Sequence, residues 1–356
     1  MLILSAALLL LAQHDPLGFV MPMFDTQARF HEEVARSRWL ANQFDYVDGA
    51  SSAVLRHPYT IAHAPDGTLF VASFTLNHVV RLRWLDGKRA SYKIFVKDRE
   101  LDGPVGMALD DEDALYVASF TNDVVLRVNS TDGTLLSRIG DEETLDCPEG
   151  LALGPDGNLY VTSFLLPYLS VFEPKTGKFV GRFGELTSQQ SAGVGAPVPR
   201  RPITLAGAED VTFDLNGDVH ATAYYSSAIF KFNGTSGELA YTYGKSFVKG
   251  PVGITCDVAS GDIFVASYKD NRVLRFTSGG DFLGVAAGGG TTGEDDGAEA
   301  ARRRRLGKAA TINSPSGLAF AEDGTLWVAS YTTGAVTRFN STYGGGGSRT
   351  FWRVTD

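Results

Sequence analysis

Cysteine is nearly absent from this chain, with two in 356 residues, Cys147 and Cys256. Two thiols are too few for a disulfide-stapled scaffold, so the fold has to rest on an apolar core. A hydrophobic content of 44% is ample for one. Cys256 falls where other copies of a repeat carry Leu, Phe or His, and reads as a small buried hydrophobe. Long apolar runs are missing as well. The N-terminal stretch 2–12 is uncharged and apolar, but eleven residues fall short of the roughly 20 that span a bilayer as a helix. No transmembrane span is expected. The run has the length of a secretory h-region, so residues 1–13 read as a candidate signal peptide and the chain as secreted. A basic n-region is lacking, since no Lys or Arg precedes Arg29; the alternative is an unprocessed start and a cytoplasmic protein.

Positive charge is in deficit. With 32 Lys and Arg against 41 Asp and Glu, the net charge is −9, which argues against DNA or another nucleic acid as partner. The one basic run, Arg302–Arg305, shares its segment with Glu294, Asp295, Asp296 and Glu299 and reads as a solvated loop. Histidine is scarce too, at six.

Glycine is plentiful, at forty residues, and so is repetition. Leu69-Phe70-Val71-Ala72-Ser73-Phe74 returns five times, ending in Phe120, Phe164, Tyr224, Tyr268 and Tyr331. The small residue before each aromatic falls at 73, 119, 163, 223, 267 and 330. A period of about 40–50 residues marks propellers and solenoids. Ahead of each copy stands an x-Pro-x-Gly signature, as in Gly103-Pro104-Val105-Gly106, or a relative of it, Gly207-Ala208-Glu209-Asp210. A short apolar strand and a turn dipeptide such as Asp66-Gly67 or Asn216-Gly217 lead into the motif. Such dipeptides take the positive φ angles of tight hairpins. A third, alternating strand and a second glycine turn precede a fourth strand. Four antiparallel strands in each of six units predict an all-β fold, a six-bladed β-propeller covering residues 51–356.

Residues 14–50 form an N-terminal extension, with a helix expected from Thr26, a plausible N-cap, to Phe44. Two inserts, 185–206 and 289–313, lengthen the links between a fourth strand and the next first strand. They lie on the rim where propellers build their binding face.

The copies resemble NHL repeats. Gly250-Pro251-Val252-Gly253-Ile254 continuing into Asp262-Ile263-Phe264-Val265-Ala266-Ser267 and Asn271-Arg272-Val273 is similar to the family pattern Pro-x-Gly-hydrophobic, then Asp-Gly-x-hydrophobic-Tyr-Val-Ala-Asp, then Asn-His/Arg-hydrophobic. One departure is consistent: Ser stands where the family carries the last Asp. The resemblance covers residues 57–352 and implies the propeller fold. Its wider kin include protein- and RNA-binding modules, lactonases, streptogramin lyases and amidating lyases, and fold alone does not choose among them.

Propeller ligands sit over the central channel, near the starts of the innermost strands. The third and fourth places of the x-Pro-x-Gly signatures are therefore the candidates. Three carboxylates occur there, Glu149, Glu209 and Asp210, and hard cations such as Ca²⁺ or Mg²⁺ prefer oxygen ligands. The related lactonases imply a carboxylate-rich channel site. Strand alternation predicts that one of Glu209 and Asp210 faces away from the axis. His57, Tyr59 and Ser316 are candidate ligand contacts at the channel mouth. His63 and His220 align with large apolar residues and read as blade-core side chains. None of the six third places is His, which argues against the lyase and zinc chemistry of the relatives. The six aromatics of the motif recur in every copy, as blade-to-blade packing requires. Asn129, Asn233 and Asn340 form Asn-x-Ser/Thr sequons, glycosylation candidates if the chain is secreted.

The function expected is binding of a protein or small-molecule ligand on the insert-bearing face, without catalysis. The alternative is a Ca²⁺- or Mg²⁺-dependent hydrolase or lactonase at the channel; a lyase is the third reading.

Overall fold

A computed structural model describes residues 54–84, 90–112, 114–185, 205, 207–288, 312–339 and 349–352. The N-terminal run, the 26–44 helix, the arginine run, Asn340 and insert residues 186–204 and 289–311 lie outside the described residues.

Among the described residues, twenty-four strands form six four-stranded sheets, each a meander of consecutive antiparallel strands. Blades 1 to 6 span residues 58–96, 104–139, 148–183, 208–243, 251–288 and 315–352. The repeated motif is the second strand of each blade, and all of its residues are buried in every copy. A strand covered on both faces needs apolar residues throughout, which is why the motif reads as an unbroken apolar run. The turn glycines Gly67 and Gly217 take φ near +81°, the conformation that tight hairpins demand.

Five serines and one alanine stand just before the motif aromatics. Three of the serines share a task. Ser73 Oγ accepts from Arg56 N, Ser119 Oγ from Asp102 N and Ser267 Oγ from Lys249 N, at 2.8–2.9 Å. Each hydroxyl thus clamps the backbone leading into its own blade's first strand.

The ring closes without strand exchange, because blades 1 and 6 are each built from their own consecutive strands. Blade 6 packs directly on blade 1. Ile61, Leu69 and Val71 share a buried cluster with Ala319, Trp327 and Val336. At the inner edge, Ser316 Oγ donates to Pro58 O at 2.9 Å.

Each first strand carries a bulge just after its first residue, for example between Pro104 and Met107 and between Ala208 and Val211. The third and fourth signature places fall inside these bulges, where adjacent residues no longer alternate strictly between faces. The fourth-place glycines let neighbouring inner strands approach backbone to backbone. A Cβ on Gly106 would lie 2.0 Å from Glu149 O, and one on Gly253 2.1 Å from Ser316 O.

Candidate functional site: the central channel and its mouth

Eleven of the twelve third and fourth signature places, all but Val105, line one central cavity. Tyr59, Thr60, Gly106, Glu149, Gly150, Glu209, Asp210, Val252, Gly253, Ser316 and Gly317 line it, and it is narrow, with room for about one water molecule. Both Glu209 and Asp210 belong to this wall. The bulge between Ala208 and Val211 sets these two adjacent residues on the inner edge of blade 4.

Their carboxylates nevertheless do different things. Asp210 Oδ1 accepts from Val211 N at 2.9 Å, and its Oδ2 accepts from Ile254 N of blade 5 at 3.0 Å. Asp210 is a clasp between blades 4 and 5. Glu209 points into the channel, where the Tyr59 hydroxyl of blade 1 donates to its Oε2 at 2.7 Å. Blades 1 and 4 are opposite one another in a ring of six, so this bond crosses the channel. Glu209 Oε1 and both oxygens of Glu149 have no hydrogen-bond partner. Tyr59 also lies close enough to Glu149 to interact with it, but a phenol has one proton to give and Glu209 receives it.

These groups are sealed in. Glu149 and Glu209 are each 1% exposed, and Tyr59 is 5% exposed. Burial pushes the Glu149 carboxyl well above the ordinary range, and the neighbouring Glu209 charge adds to the rise. Burial raises Glu209 to about 8 against the opposing Tyr59 hydrogen bond. It raises Asp210 to about 7 against its two backbone amides. The Tyr59 phenol is likewise held above its usual value, by burial and then by the two glutamates.

Sequence reading missed the residues that hold the acids in place. Where four copies have Ala in the motif, blades 3 and 4 have Thr162 and Thr222. Thr162 Oγ1 accepts from Gly150 N at 2.7 Å and donates to Glu209 O at 3.1 Å. Thr222 Oγ1 accepts from Asp210 N at 3.0 Å and donates to Val252 O at 2.5 Å. Two hydroxyls thereby stitch the inner strands of blades 3, 4 and 5 at the acidic positions. The signal was present as an Ala-to-Thr change confined to the two acidic units.

Around the mouth the motif aromatics form a chain of rings. Centroids run from Phe120 to Phe74 and on to Tyr331, Tyr268 and Tyr224 in steps of 6.2–6.3 Å. Tyr225 then links Tyr224 to Phe164, at 5.9 and 5.3 Å. Tyr59 sits against Phe74 and Tyr331, at 5.8 and 6.2 Å. His57 stacks on Tyr331 at 4.5 Å, with Nδ1 2.5 Å from Thr75 Oγ1. Burial drives its pKa down to about 3, so the ring is neutral. Tyr225 stands out, being 41% exposed.

The remaining candidates fall elsewhere. His220 is fully buried in blade 4, between Tyr243 Oη at 2.8 Å and Asp214 Oδ2 at 3.2 Å. His63 is half-buried near Asp323, Glu322 and Asp66. Asn129 and Asn233 occupy equivalent turns, where each Oδ1 accepts two main-chain amides. Both cysteines are free thiols.

Among the described residues, one set of three potential metal ligands converges within 4.8 Å: Asp123, Asp146 and Cys147. Its geometry belongs to the inter-blade strap. Asp123 Oδ1 accepts from Cys147 N at 2.7 Å, just as Asn77 Oδ1 accepts from Gly103 N and Asn271 Oδ1 from Ser314 N. Burial, with Asp123 next, raises the Cys147 thiol and keeps it protonated, which disfavours metal ligation.

The fold defines a six-bladed β-propeller. Similar solved structures include a catalytically inactive variant of virginiamycin B lyase from Staphylococcus aureus with quinupristin, at 14% identity over 84% of this chain and 86% of that one, with a TM-score of 0.54. A chain of the nidogen/laminin complex shares 15% identity over 77% of this chain and 89% of its own, with a TM-score of 0.55. A Bacteroides thetaiotaomicron protein of unknown function shares 16% over 82% and 72%, with a TM-score of 0.58. At such identities the likeness is one of fold. No family model matches the sequence, and no curated protein matches it. No helix among the described residues is long and apolar enough to cross a membrane.

Proposed function

We propose that this propeller, of NHL type, is a non-catalytic recognition scaffold whose insert-bearing face binds a protein or small-molecule ligand. The observation that carries this reading is the Tyr59–Glu209 bond across the channel. It leaves the two glutamates of the channel wall, Glu149 and Glu209, about 1% exposed beneath Tyr59. A substrate approaching from the aromatic mouth meets packed rings rather than a carboxylate. The neutral, stacked His57 offers no paired acid or base there. What the described part of the face presents is the exposed Tyr225 ring. Aromatic side chains of this kind anchor binding interfaces. The nidogen/laminin likeness is compatible with this reading through its fold alone.

The test is affinity capture by the full chain, compared with a variant in which 289–311 is replaced by a short Gly-Ser turn and with Tyr225→Ala. A partner lost with both variants, and kept when exposed Leu215 is changed to Ser, supports the reading. Binding that survives both changes places recognition elsewhere. Saturable lactone hydrolysis by the wild type with Ca²⁺ or Mg²⁺ would replace it with the hydrolase reading.

A further inference from the structure

We propose, resting on the recognition reading above, that the partner of this face is a protein with an acidic segment, which docks over Lys245, Lys249 and Lys269 and against the exposed rings of Tyr225 and Phe247. The chain carries a net charge of −9, yet the connector 244–250, which leads into the first strand of blade 5, holds Lys245 and Lys249 and no carboxylate. The matching connectors 97–103 and 140–147 carry three and four carboxylates. Lys269 follows the motif of blade 5, and its amide donates to Lys249 O at 3.1 Å, which sets the two residues side by side. All three lysines are exposed, and none pairs with a carboxylate among the described residues. The adjacent Asp270 is buried and held by Arg272.

Two glycines shape the surface. A Cβ on Gly250 would lie 2.9 Å from the Tyr224 ring and 3.2 Å from Lys269 Cδ, and one on Gly207 2.5 Å from the Tyr225 ring. Their bare backbones let the Lys269 stem lie over Tyr224, with Nζ 4.5 Å from the ring centre, and seat Tyr225 with its ring 41% exposed. Burial lowers the Lys269 pKa and no carboxylate opposes it, so the ammonium has lost water without gaining a counter-ion. A partner's carboxylate supplies one. On the connector, Phe247 stacks on Phe282 at 4.1 Å and is 42% exposed. Cations set among exposed rings fit an acidic segment that also carries apolar side chains, by charge complementarity and ring burial. Small-molecule sites enclose roughly 300–1,000 Å³, whereas the channel has room for about one water. A nucleic acid, charged at every phosphate, would run on to the carboxylates of the other connectors; a short acidic segment ends within the patch.

The test uses the full chain and a fluorescein-labelled, Glu-rich peptide that includes Leu and Phe, followed by anisotropy at low salt. The peptide should bind saturably and weaken as salt is raised to about 200 mM. Lys249→Glu and Lys269→Glu combined should lower its affinity about tenfold. Lys178→Glu, at an exposed position of blade 3, should leave it unchanged. If the double variant does not fold, Lys245→Glu with Lys249→Glu, both at exposed positions, gives the same reading. No saturable binding, or binding that the reversed charges leave unchanged, overturns the proposal. Tighter binding of labelled oligo-dT through the same lysines overturns it in favour of a nucleic acid. A captured partner that Tyr225→Ala releases and the lysine variants retain overturns the acidic chemistry while the recognition reading stands.

Discussion

Tyr59 and Glu209, 150 positions apart in the chain, meet in the middle of the ring through a 2.7 Å hydrogen bond from phenol to carboxylate. One belongs to the first strand of blade 1 and the other to the first strand of blade 4. A propeller is otherwise held by contacts between neighbouring blades, so this bond adds a brace across the diameter. It also explains why the channel acids are out of reach of the mouth.

Stability should depend on pH in an unusual direction when divalent cations are chelated. The folded-state pKa of Glu209, at about 8, lies above the ordinary value of 4.5, and that of Glu149 is raised in the same sense. The native state therefore keeps protons that the unfolded chain releases. The stabilisation is complete below about pH 4.5 and is lost as pH rises through about 8. Urea midpoints should fall from pH 5 to 8, and Glu209→Gln should flatten that slope. A midpoint that rises over this window, in wild type and variant alike, contradicts the burial of a protonated pair.

Thr162→Val should cost about 1–3 kcal/mol, because it leaves Gly150 N and Glu209 O without their buried partner. Thr162→Ser should restore most of the loss. Chemical denaturation of the three proteins checks this, and equal losses for Val and Ser would mean that the methyl group, not the hydroxyl, matters.

The two kinds of glycine should respond differently to substitution. Gly253→Ala places a Cβ 2.1 Å from Ser316 O, so the blades must separate, and a loss of about 3 kcal/mol or more is expected. Gly157→Ala meets nothing within 4 Å and should cost only the strain of its positive φ, about 1 kcal/mol. Thermal melts that rank the two the other way would contradict the inner-strand packing.

Blade 4 holds a buried charge network whose loss should be severe. Lys231 Nζ lies 2.9 Å from Asp214 Oδ2, which His220 also approaches. Burial alone would raise Asp214, but the His220 and Lys231 hydrogen bonds hold it well below the usual carboxylate range. Asp214→Asn leaves the Lys231 ammonium with Asp218 Oδ2 at 3.2 Å and the Ser278 carbonyl at 3.1 Å, and should cost about 3 kcal/mol. An unchanged urea midpoint would show that Asp218 and the Ser278 carbonyl suffice.

The ring was legible in the sequence because each blade repeats the same burial problem. Six buried second strands write six apolar runs, and internal alignment placed His220 in a blade core, where it is fully buried. Closure was not legible, since Ser316 and Pro58 are brought together only when the last blade packs on the first. The channel wall could be read from the signature places, but not the division of labour within it. Whether Asp210 faces a ligand or the Ile254 amide is decided by a bulge and by the neighbouring blade. Tyr59 stood among the candidates without its partner, because nothing local to residue 59 points to residue 209. Thr162 and Thr222 were overlooked because comparing the six copies favoured what they share.

The most direct measurement is a double-mutant cycle on the unfolding free energy with Tyr59→Phe, Glu209→Gln and both together. The cross-channel brace predicts a coupling of about 1–3 kcal/mol between the two sites. Additive effects, with no coupling outside error, would show that the two side chains do not hold the channel shut.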